Sequence, residues 1–234
     1  MVKRLFLFDL DWTVIYSGGA GLRALNYAFV KHYQIPDAMK NISPDGKTDP
    51  AIVREMIRVH LNRDPQNGEI EAVCESYVAR LPVEVANADG YRVLPGIPEI
   101  LEVLSKQQDA WVGLGTGNLE GGALAKLARC GLMRYFKFGG YATDSEDRPE
   151  VLRAAVRRGE QLAGGRVPPR DVYVIGDNFR DIDAGKAIGA VTVGVATGSM
   201  TLDELARHNP DHLFPDLSDT EKVLKVLLPN VSQR

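Results

Sequence analysis

Short apolar runs alternate along the chain with segments whose apolar residues recur at helical spacing. Five such runs predict strands, at residues 4–8, 110–114, 136–141, 172–175 and 191–195. They are nearly continuous in apolar character, which is typical of strands buried on both faces of a parallel sheet. Helices are predicted between them, at residues 98–107, 119–130 and 149–163. This alternation indicates an α/β fold with a doubly wound parallel sheet.

Residues 16–88 depart from this rhythm. Three apolar stripes at helical spacing occupy the segment, and no strand-like run interrupts them. We therefore expect two domains: an α/β core formed by residues 1–15 and 89–234, and a small helical bundle formed by residues 16–88, inserted after the first strand. The polar residues beyond Pro229 are expected to fray.

The predicted helix at residues 119–130 has an apolar face and a recognisable end. Leu124, Leu127 and Ala128 lie together at helical spacing, and Gly131 follows where a helix commonly ends. This arrangement predicts that the three apolar residues share one face of the helix.

Composition and charge exclude several kinds of protein. The chain has 234 residues, 44% of them hydrophobic, and a net charge of −3 without a basic block, so binding to a nucleic acid polymer is not expected. No apolar stretch approaches the roughly 20 residues that span a bilayer. The two cysteines have no CxxC spacing, as is typical of a reducing compartment. We expect a soluble, cytoplasmic protein that does not bind membranes, and its oligomeric state is left open.

Charged and polar side chains follow the predicted strands at their carboxyl ends. Asp9 and Asp11 follow the first strand, Thr116 follows the strand at 110–114, and Asp177 and Asp181 follow the strand at 172–175. Ligands of open parallel sheets bind at this edge. Two neighbouring carboxylates are tolerable there if a cation and a metal ion offset their repulsion, so the sequence predicts an anion and metal site.

Each of these features also has a purely structural interpretation. The DxDxT segment is compatible with an acidic turn before a helix, Thr116 with a helix N-cap, and Asp181 with an ordinary first helical turn. The segment GLGTGN has glycine spacing different from a dinucleotide loop and lacks an acid about 20 residues later. The order of the features, each after a strand, favours a functional site.

Five segments together resemble the haloacid dehalogenase (HAD) superfamily, namely FDLDWT, GTGN, Arg148 with Pro149, IGDNFRDIDAG and LPGIPEIL. The resemblance spans nearly the whole chain and is to phosphatases with an inserted helical cap, most of all phosphoglycolate phosphatases. It implies a Rossmann-like, HAD-like core and hydrolysis of a small phosphorylated metabolite with Mg²⁺.

The resemblance also implies roles for individual residues. Asp9 would be the nucleophile and Asp11 the general acid and base. Mg²⁺ would be held by Asp9, Asp177 and the main-chain carbonyl group of Asp11, with Asp181 supporting the site. The phosphoryl group would be bound by Thr116, Gly117, Asn118 and Arg148.

The chain departs from the family pattern at two positions. Trp12 occupies a position where the family most often has glycine, which narrows the leaving-group side. Arg148 replaces the commoner lysine and changes the hydrogen-bonding geometry while keeping the charge. In the loop SPDGKTDP, we expect Asp49 to be a helix N-cap and hypothesise that residues 45–48 face the site, with Lys47 selecting an anionic substrate.

Other functions remain open at this stage. A sugar-phosphate mutase or a nucleotidase of the same family would share the acid pair. A phospho-accepting signalling domain also places acids at strand ends, but it usually lacks a helical insertion of this length and carries its phosphoacceptor on a later strand. Repeated release of phosphate would separate an enzyme from such a domain.

Overall fold

A computed structural model describes residues 3–229 of the chain. Its centre is a parallel sheet of six strands in the order β5-β4-β1-β6-β7-β8. The strands are β1 (Arg4–Phe8), β4 (Ala110–Gly115), β5 (Phe138–Gly140), β6 (Val172–Gly176), β7 (Val191–Val195) and β8 (His212–Phe214). The predicted α/β class and parallel sheet are confirmed. The short edge strand β8 was not predicted.

Helices cover both faces of this sheet. They are α4 (Ile97–Ser105), α5 (Glu120–Ala128), α6 (Arg148–Ala163), α7 (Phe179–Ala187), α8 (Leu202–Ala206) and α9 (Thr220–Leu227). Residues 5–8 of strand β1 are all apolar because both faces of the strand are covered. Phe6 and Phe8 belong to one hydrophobic core, and Leu5 and Leu7 belong to another on the opposite face. Successive side chains of a strand point to opposite faces, so a strand covered on both sides has no polar face.

A third hydrophobic core lies within the helical segment that follows β1. It is formed mainly by helices α1 (Ala20–Tyr33), α2 (Asp49–Leu61) and α3 (Glu69–Ala86). The two-residue strands β2 (Ile15–Tyr16) and β3 (Arg92–Val93) pair in antiparallel fashion where the chain enters and leaves this segment. We call residues 16–88 the cap; its exact boundaries stay a prediction.

Two details of the predicted elements are wrong. Helix α5 ends at Ala128 rather than at residue 130, and Leu124 of its predicted apolar face is 38% exposed. The buried residues of this helix are Gly122, Ala123, Lys126 and Leu127, so the helix is rotated from the predicted orientation by about one residue. The predicted frayed tail lies outside the described residues. No helix within residues 3–229 has the length and apolar character needed to cross a membrane.

Candidate active site

The carboxyl ends of the central strands bring the predicted polar residues together around one cavity of about 300 Å³. Its walls include all but one of the predicted site residues, namely Asp9, Asp11, Lys47, Thr116, Gly117, Asn118, Arg148 and Asp177. Asp181 lies behind them and is almost completely buried. Residues separated by more than 160 positions in the chain therefore share one small volume at the predicted edge of the sheet.

Three acids form a compact group within this site. Asp9, Asp177 and Asp181 each offer a carboxylate oxygen, and these oxygens lie within 4.8 Å of one another. The hydroxyl group of Thr13 donates a hydrogen bond of 3.3 Å to Asp177. Burial, followed by the nearby charge of Asp181, raises the pKa of Asp9 to about 7, even though Arg148 lowers it. Burial and the charge of Asp9 also raise the pKa of Asp177 well above its usual range.

These pKa shifts have a direct physical meaning. Three crowded carboxylates with one adjacent guanidinium leave excess negative charge in a region poor in water, and a bound proton or cation would reduce it. Carboxylate oxygens are the ligands that Mg²⁺ prefers. Asp181 already accepts hydrogen bonds from Arg148 and from the backbone N–H of Asn178. Asp9 and Asp177 are thus the side chains with the most capacity left to hold a metal ion.

Arg148, the first residue of α6, is the cation of this group. Its Nη2 atom donates to Asp181, to Asp9 at 3.3 Å and to the backbone carbonyl of Gly115 at 3.1 Å. Burial alone would lower its pKa, but Asp181 and Asp9 outweigh burial and raise it, so the side chain stays charged. Its Nε and Nη1 atoms are buried and have no hydrogen-bond partner among residues 3–229. These donors remain available for an anion.

The turn after β4 contains the segment Thr116–Asn118. Thr116 is fully buried, and Leu119, not Thr116, occupies the N-cap position of α5. The N–H groups of Thr116 and Asn118 donate to the Gly140 carbonyl and to the Thr116 hydroxyl oxygen, respectively. Of the three N–H groups in this turn, that of Gly117 is the one without a hydrogen-bond partner among residues 3–229. The helix N-cap interpretation of Thr116 is wrong.

The cap contacts this turn directly. A Cβ atom on Gly117 would lie 2.4 Å from the carbonyl oxygen of Lys47, so glycine is required for this close approach. The backbone N–H of Asp49 donates to the Gly117 carbonyl at 2.8 Å, and Arg180 Nη1 donates to the Asp45 carbonyl at 3.0 Å. Lys47 lines the cavity but forms an ion pair with Glu55 of α2. The loop thus covers the edge of the core.

Comparisons with known proteins agree with this arrangement. A family model described as HAD-hydrolase-like matches residues 147–220. The pyrophosphatase PpaX of Anoxybacillus flavithermus is 27% identical, over 94% of this chain and 96% of its own length. A phosphoglycolate phosphatase of Pseudomonas fluorescens is 26% identical, over 99% of this chain and 85% of its own length. These matches confirm the resemblance of the chain to the haloacid dehalogenase-like hydrolases.

Solved structures share the fold of this HAD-like hydrolase. A hydrolase from Pseudomonas syringae superposes with a TM-score of 0.74 at 22% identity, covering 96% of this chain and 99% of its own. CbbY from Rhodobacter sphaeroides, solved in complex with phosphate, gives a TM-score of 0.71 at 18% identity, covering 94% and 96%. The predicted family and the prediction of a hydrolase are confirmed.

Sequence reasoning missed Lys126 of this HAD-like hydrolase. Its side chain is 5% exposed, and Nζ donates to Asp11 Oδ2 and to Asn118 Oδ1, both at 2.6 Å. Burial disfavours the ammonium form, but Asp11 and Asp49 outweigh it and raise the pKa of Lys126. The sequence did contain a signal for burial of Lys126. It lies three residues after Ala123 and next to Leu127, and those two apolar residues mark the buried face of the helix.

Asp49 was assigned the wrong role. Thr48 occupies the N-cap position of α2, and Asp49 is the first helical residue. The Asp49 carboxylate accepts hydrogen bonds from the backbone N–H of Leu119 at 2.8 Å and from the Tyr77 hydroxyl at 3.4 Å. Burial raises the pKa of Asp49 to about 6, although Lys126 and the Leu119 N–H lower it. A buried acid of the cap therefore contacts the core next to the turn that follows β4.

Proposed function

We propose that the protein is a Mg²⁺-dependent phosphatase that hydrolyses a small phosphomonoester through an aspartyl-phosphate at Asp9. The observation that carries this proposal is the meeting of Asp9, Asp11, Thr116, Arg148 and Asp177 around one cavity. The set comprises a nucleophile, a second acid, a hydroxyl group, a guanidinium group and a metal ligand. Phosphoryl transfer needs these groups in one place, because it depends mainly on positioning and on stabilising charge.

The binding of the phosphoryl group follows from the free donors of the site. Arg148 offers Nε and Nη1, which have no other partner among the described residues. The Thr116 hydroxyl oxygen accepts a hydrogen bond from the Asn118 amide at 2.9 Å, which leaves its own proton to donate. Gly117 supplies a backbone N–H. These donors would stabilise negative charge on the phosphoryl oxygens as it develops.

The metal would be held by Asp9 and Asp177 together with the main-chain carbonyl of Asp11, with Asp181 supporting the site from behind. When bound, Mg²⁺ offsets the repulsion between a carboxylate nucleophile and a phosphate dianion. The raised pKa values of Asp9 and Asp177 support this assignment, since burial and the neighbouring carboxylates disfavour their charged forms and a bound cation would offset both effects.

The two acids after β1 would divide the reaction into two steps. Asp9 attacks phosphorus, the bond to the leaving oxygen breaks, and Asp11 donates its proton to that oxygen. Asp11 then takes a proton from water as the water attacks the aspartyl-phosphate. This releases inorganic phosphate and restores both side chains.

The cavity supports a small organic substrate. Its volume is about 300 Å³, and Trp12, Tyr16, Leu25 and Ile52 form an apolar part of its wall. A second phosphate group would gain nothing from this wall, which favours a phosphomonoester with a short organic part over inorganic pyrophosphate. The relative named phosphoglycolate phosphatase supports a phosphoglycolate-like substrate, and the relatives named pyrophosphatase make pyrophosphate a necessary comparison.

A phosphate-release screen with Mg²⁺ tests the proposal. The panel contains short-chain, sugar and nucleotide monophosphates together with pyrophosphate, and each is compared with Asp9→Asn and with Asp203→Asn, a control at an exposed acid of α8. We expect repeated turnover on a short-chain monoester, full activity in the control and none in Asp9→Asn. Equal activity in Asp9→Asn would exclude the nucleophile. A single equivalent of bound phosphate would instead indicate a signalling domain, and recovery of an isomer of the substrate would indicate a mutase.

A further inference from the structure

The carboxyl group of Asp11 is held by two donors that reach the same oxygen. Lys126 Nζ lies 2.6 Å and Asn118 Nδ2 lies 2.8 Å from Asp11 Oδ2. Among residues 3–229, no hydrogen bond to a side chain or backbone group engages Oδ1. The two oxygens of this carboxyl group are therefore not equivalent, and Oδ1 is the one left to exchange a proton with a ligand.

Lys126 also fixes the orientation of Asn118. A lysine ammonium group can only donate hydrogen bonds, so it requires the amide oxygen Oδ1 of Asn118 to face it. The amide nitrogen is thereby turned toward Asp11 and toward the Thr116 hydroxyl. One buried side chain of α5 thus controls two contacts of Asp11, directly and through Asn118.

We propose that Lys126 is a positioning residue that holds the Asp11 carboxyl group so that Oδ1 transfers the proton to and from the leaving-group oxygen. This proposal rests on the proposed function. In the first step the proton passes from Asp11 Oδ1 to the departing oxygen as the bond between phosphorus and oxygen breaks. In the second step water returns a proton to the same oxygen. Lys126 touches neither the phosphoryl group nor the nucleophile in this scheme.

Leaving-group dependence separates positioning from a structural role. An alkyl leaving group needs a proton, whereas p-nitrophenolate leaves readily without one. In Lys126→Met we expect kcat/KM, which reports the steps up to departure of the leaving group, to fall about 100-fold for the best alkyl phosphate of the screen and less than about 5-fold for p-nitrophenyl phosphate. Lys126→Gln, which keeps a neutral donor, should recover part of the loss, and it replaces the methionine variant if that variant does not fold.

Arg129 provides a matched control. It directly follows α5 and joins the core to the cap, since Nη1 donates to the carbonyl groups of Val85 and Ala88, but no hydrogen bond links it to Asp11. Arg129→Met should therefore lower both activities by the same factor, if at all. Equal losses of kcat/KM for the two substrates in Lys126→Met would overturn the proposal. So would a rise in KM confined to phosphomonoesters that carry a second anionic group, with kcat unchanged, because Lys126 would then bind the substrate.

A double substitution tests whether Lys126 acts through Asp11. Asp11→Asn alone should show the same leaving-group dependence, and adding Lys126→Met should cause little further loss, because residues acting as a unit are not additive. A full additional 100-fold loss in the double variant would contradict the proposal. If Asp9→Asn stays active, the proposed function fails. If Asp9→Asn is inactive while the Lys126 variants lose both activities equally, only the positioning role fails.

Discussion

Arg148 and Asp181 form a buried ion pair directly behind the candidate nucleophile. Their side chains are 8% and 2% exposed, and the same guanidinium group also contacts Asp9. A buried charge that loses its partner is strongly destabilising, because nothing replaces the lost interaction. The ion pair therefore couples the stability of the core to the chemistry of the site.

Replacing Arg148 should lower both the stability of the protein and its activity. We expect Arg148→Met to lower the free energy of unfolding by about 3–5 kcal/mol in urea and to lower kcat/KM by at least ~100-fold. Arg148→Lys keeps the charge but loses the planar geometry, so its stability and its kcat/KM should lie between those of Arg148→Met and those of the wild type. Arg153→Met, on the same helix with 42% of its side chain exposed, is the control and should change stability by less than ~0.5 kcal/mol. Wild-type stability in Arg148→Met would show that the pair contributes nothing.

Metal binding should be visible without any measurement of activity. In metal-free buffer the crowded carboxylates destabilise the protein, so we expect Mg²⁺ at about 100 times its Kd to raise Tm by about 5–10 °C. Asp177→Asn should unfold at a higher temperature than the wild type without Mg²⁺ and should respond little when Mg²⁺ is added. Thermal unfolding followed by circular dichroism measures both, with Asp203→Asn as the control. An equal Mg²⁺ response in all three proteins would exclude Asp177 as a ligand.

Trp12 adopts a left-handed backbone conformation, with φ of 60°. This conformation costs a residue with a Cβ atom about 1–2 kcal/mol but costs glycine almost nothing. Trp12→Ala and Trp12→Gly both remove the ring, which stacks on Tyr16 at 4.2 Å between centroids. We therefore expect the glycine variant to be more stable than the alanine variant by about 1 kcal/mol in urea unfolding. Both variants should bind bulkier phosphomonoesters with a lower KM than the wild type does. Equal stability of the glycine and alanine variants would contradict the first expectation and indicate that the backbone relaxes.

Asp49 should make stability depend on pH. Its pKa rises from 3.8 to about 6 on folding, so the folded state binds more protons than the unfolded state between about pH 4 and pH 6. Its contribution to stability therefore falls as pH rises through that range, by roughly 3 kcal/mol in total. Asp49→Asn lacks this titration. Asp9 and Asp177 also have raised pKa values, but they are present in both proteins, so their contribution cancels when the variant is compared with the wild type. Urea unfolding from pH 4 to pH 7 should show the variant gaining on the wild type as pH rises, and parallel curves would contradict the assignment.

The hypothesis that Lys47 selects an anionic substrate can be tested through its ion pair. Its ion pair with Glu55 competes with any such contact, so the two side chains offer opposite tests. Lys47→Ala should lower kcat/KM for a monoester with a carboxylate group by about 3- to 10-fold relative to a neutral analogue. Glu55→Gln, which releases Lys47, should shift the same ratio the other way. Lys40→Ala, in an exposed part of the cap, is the control. If the ranking of the substrates is unchanged in both Lys47→Ala and Glu55→Gln, the hypothesis is wrong.

The sequence predicted the sheet and the acids at its edge because each signal was local. Apolar runs marked the strands, and residues such as Asp9 and Asp177 follow those runs directly, so parallel pairing alone brings them together. The family resemblance supplied their proposed roles. Lys126 could not be found in this way, because its contact with Asp11 depends on the rotation of α5 about its axis. Asp49 was missed for a similar reason: its partner Leu119 lies 70 positions away.

The paired strands β2 and β3 bring together the two points at which the chain passes between core and cap. Tyr16 lies opposite Arg92, and nearby a Cβ atom on Gly18 would come within 2.4 Å of the Asp89 carbonyl oxygen. The inserted segment therefore begins and ends at almost the same place. We therefore expect that a helical insertion of different length, with similarly close ends, fits between these positions without separating the strands that carry the reacting groups. The wall that faces the substrate can therefore change with the insertion, as long as the contacts of Asp49 with Gly117 and Leu119 are kept.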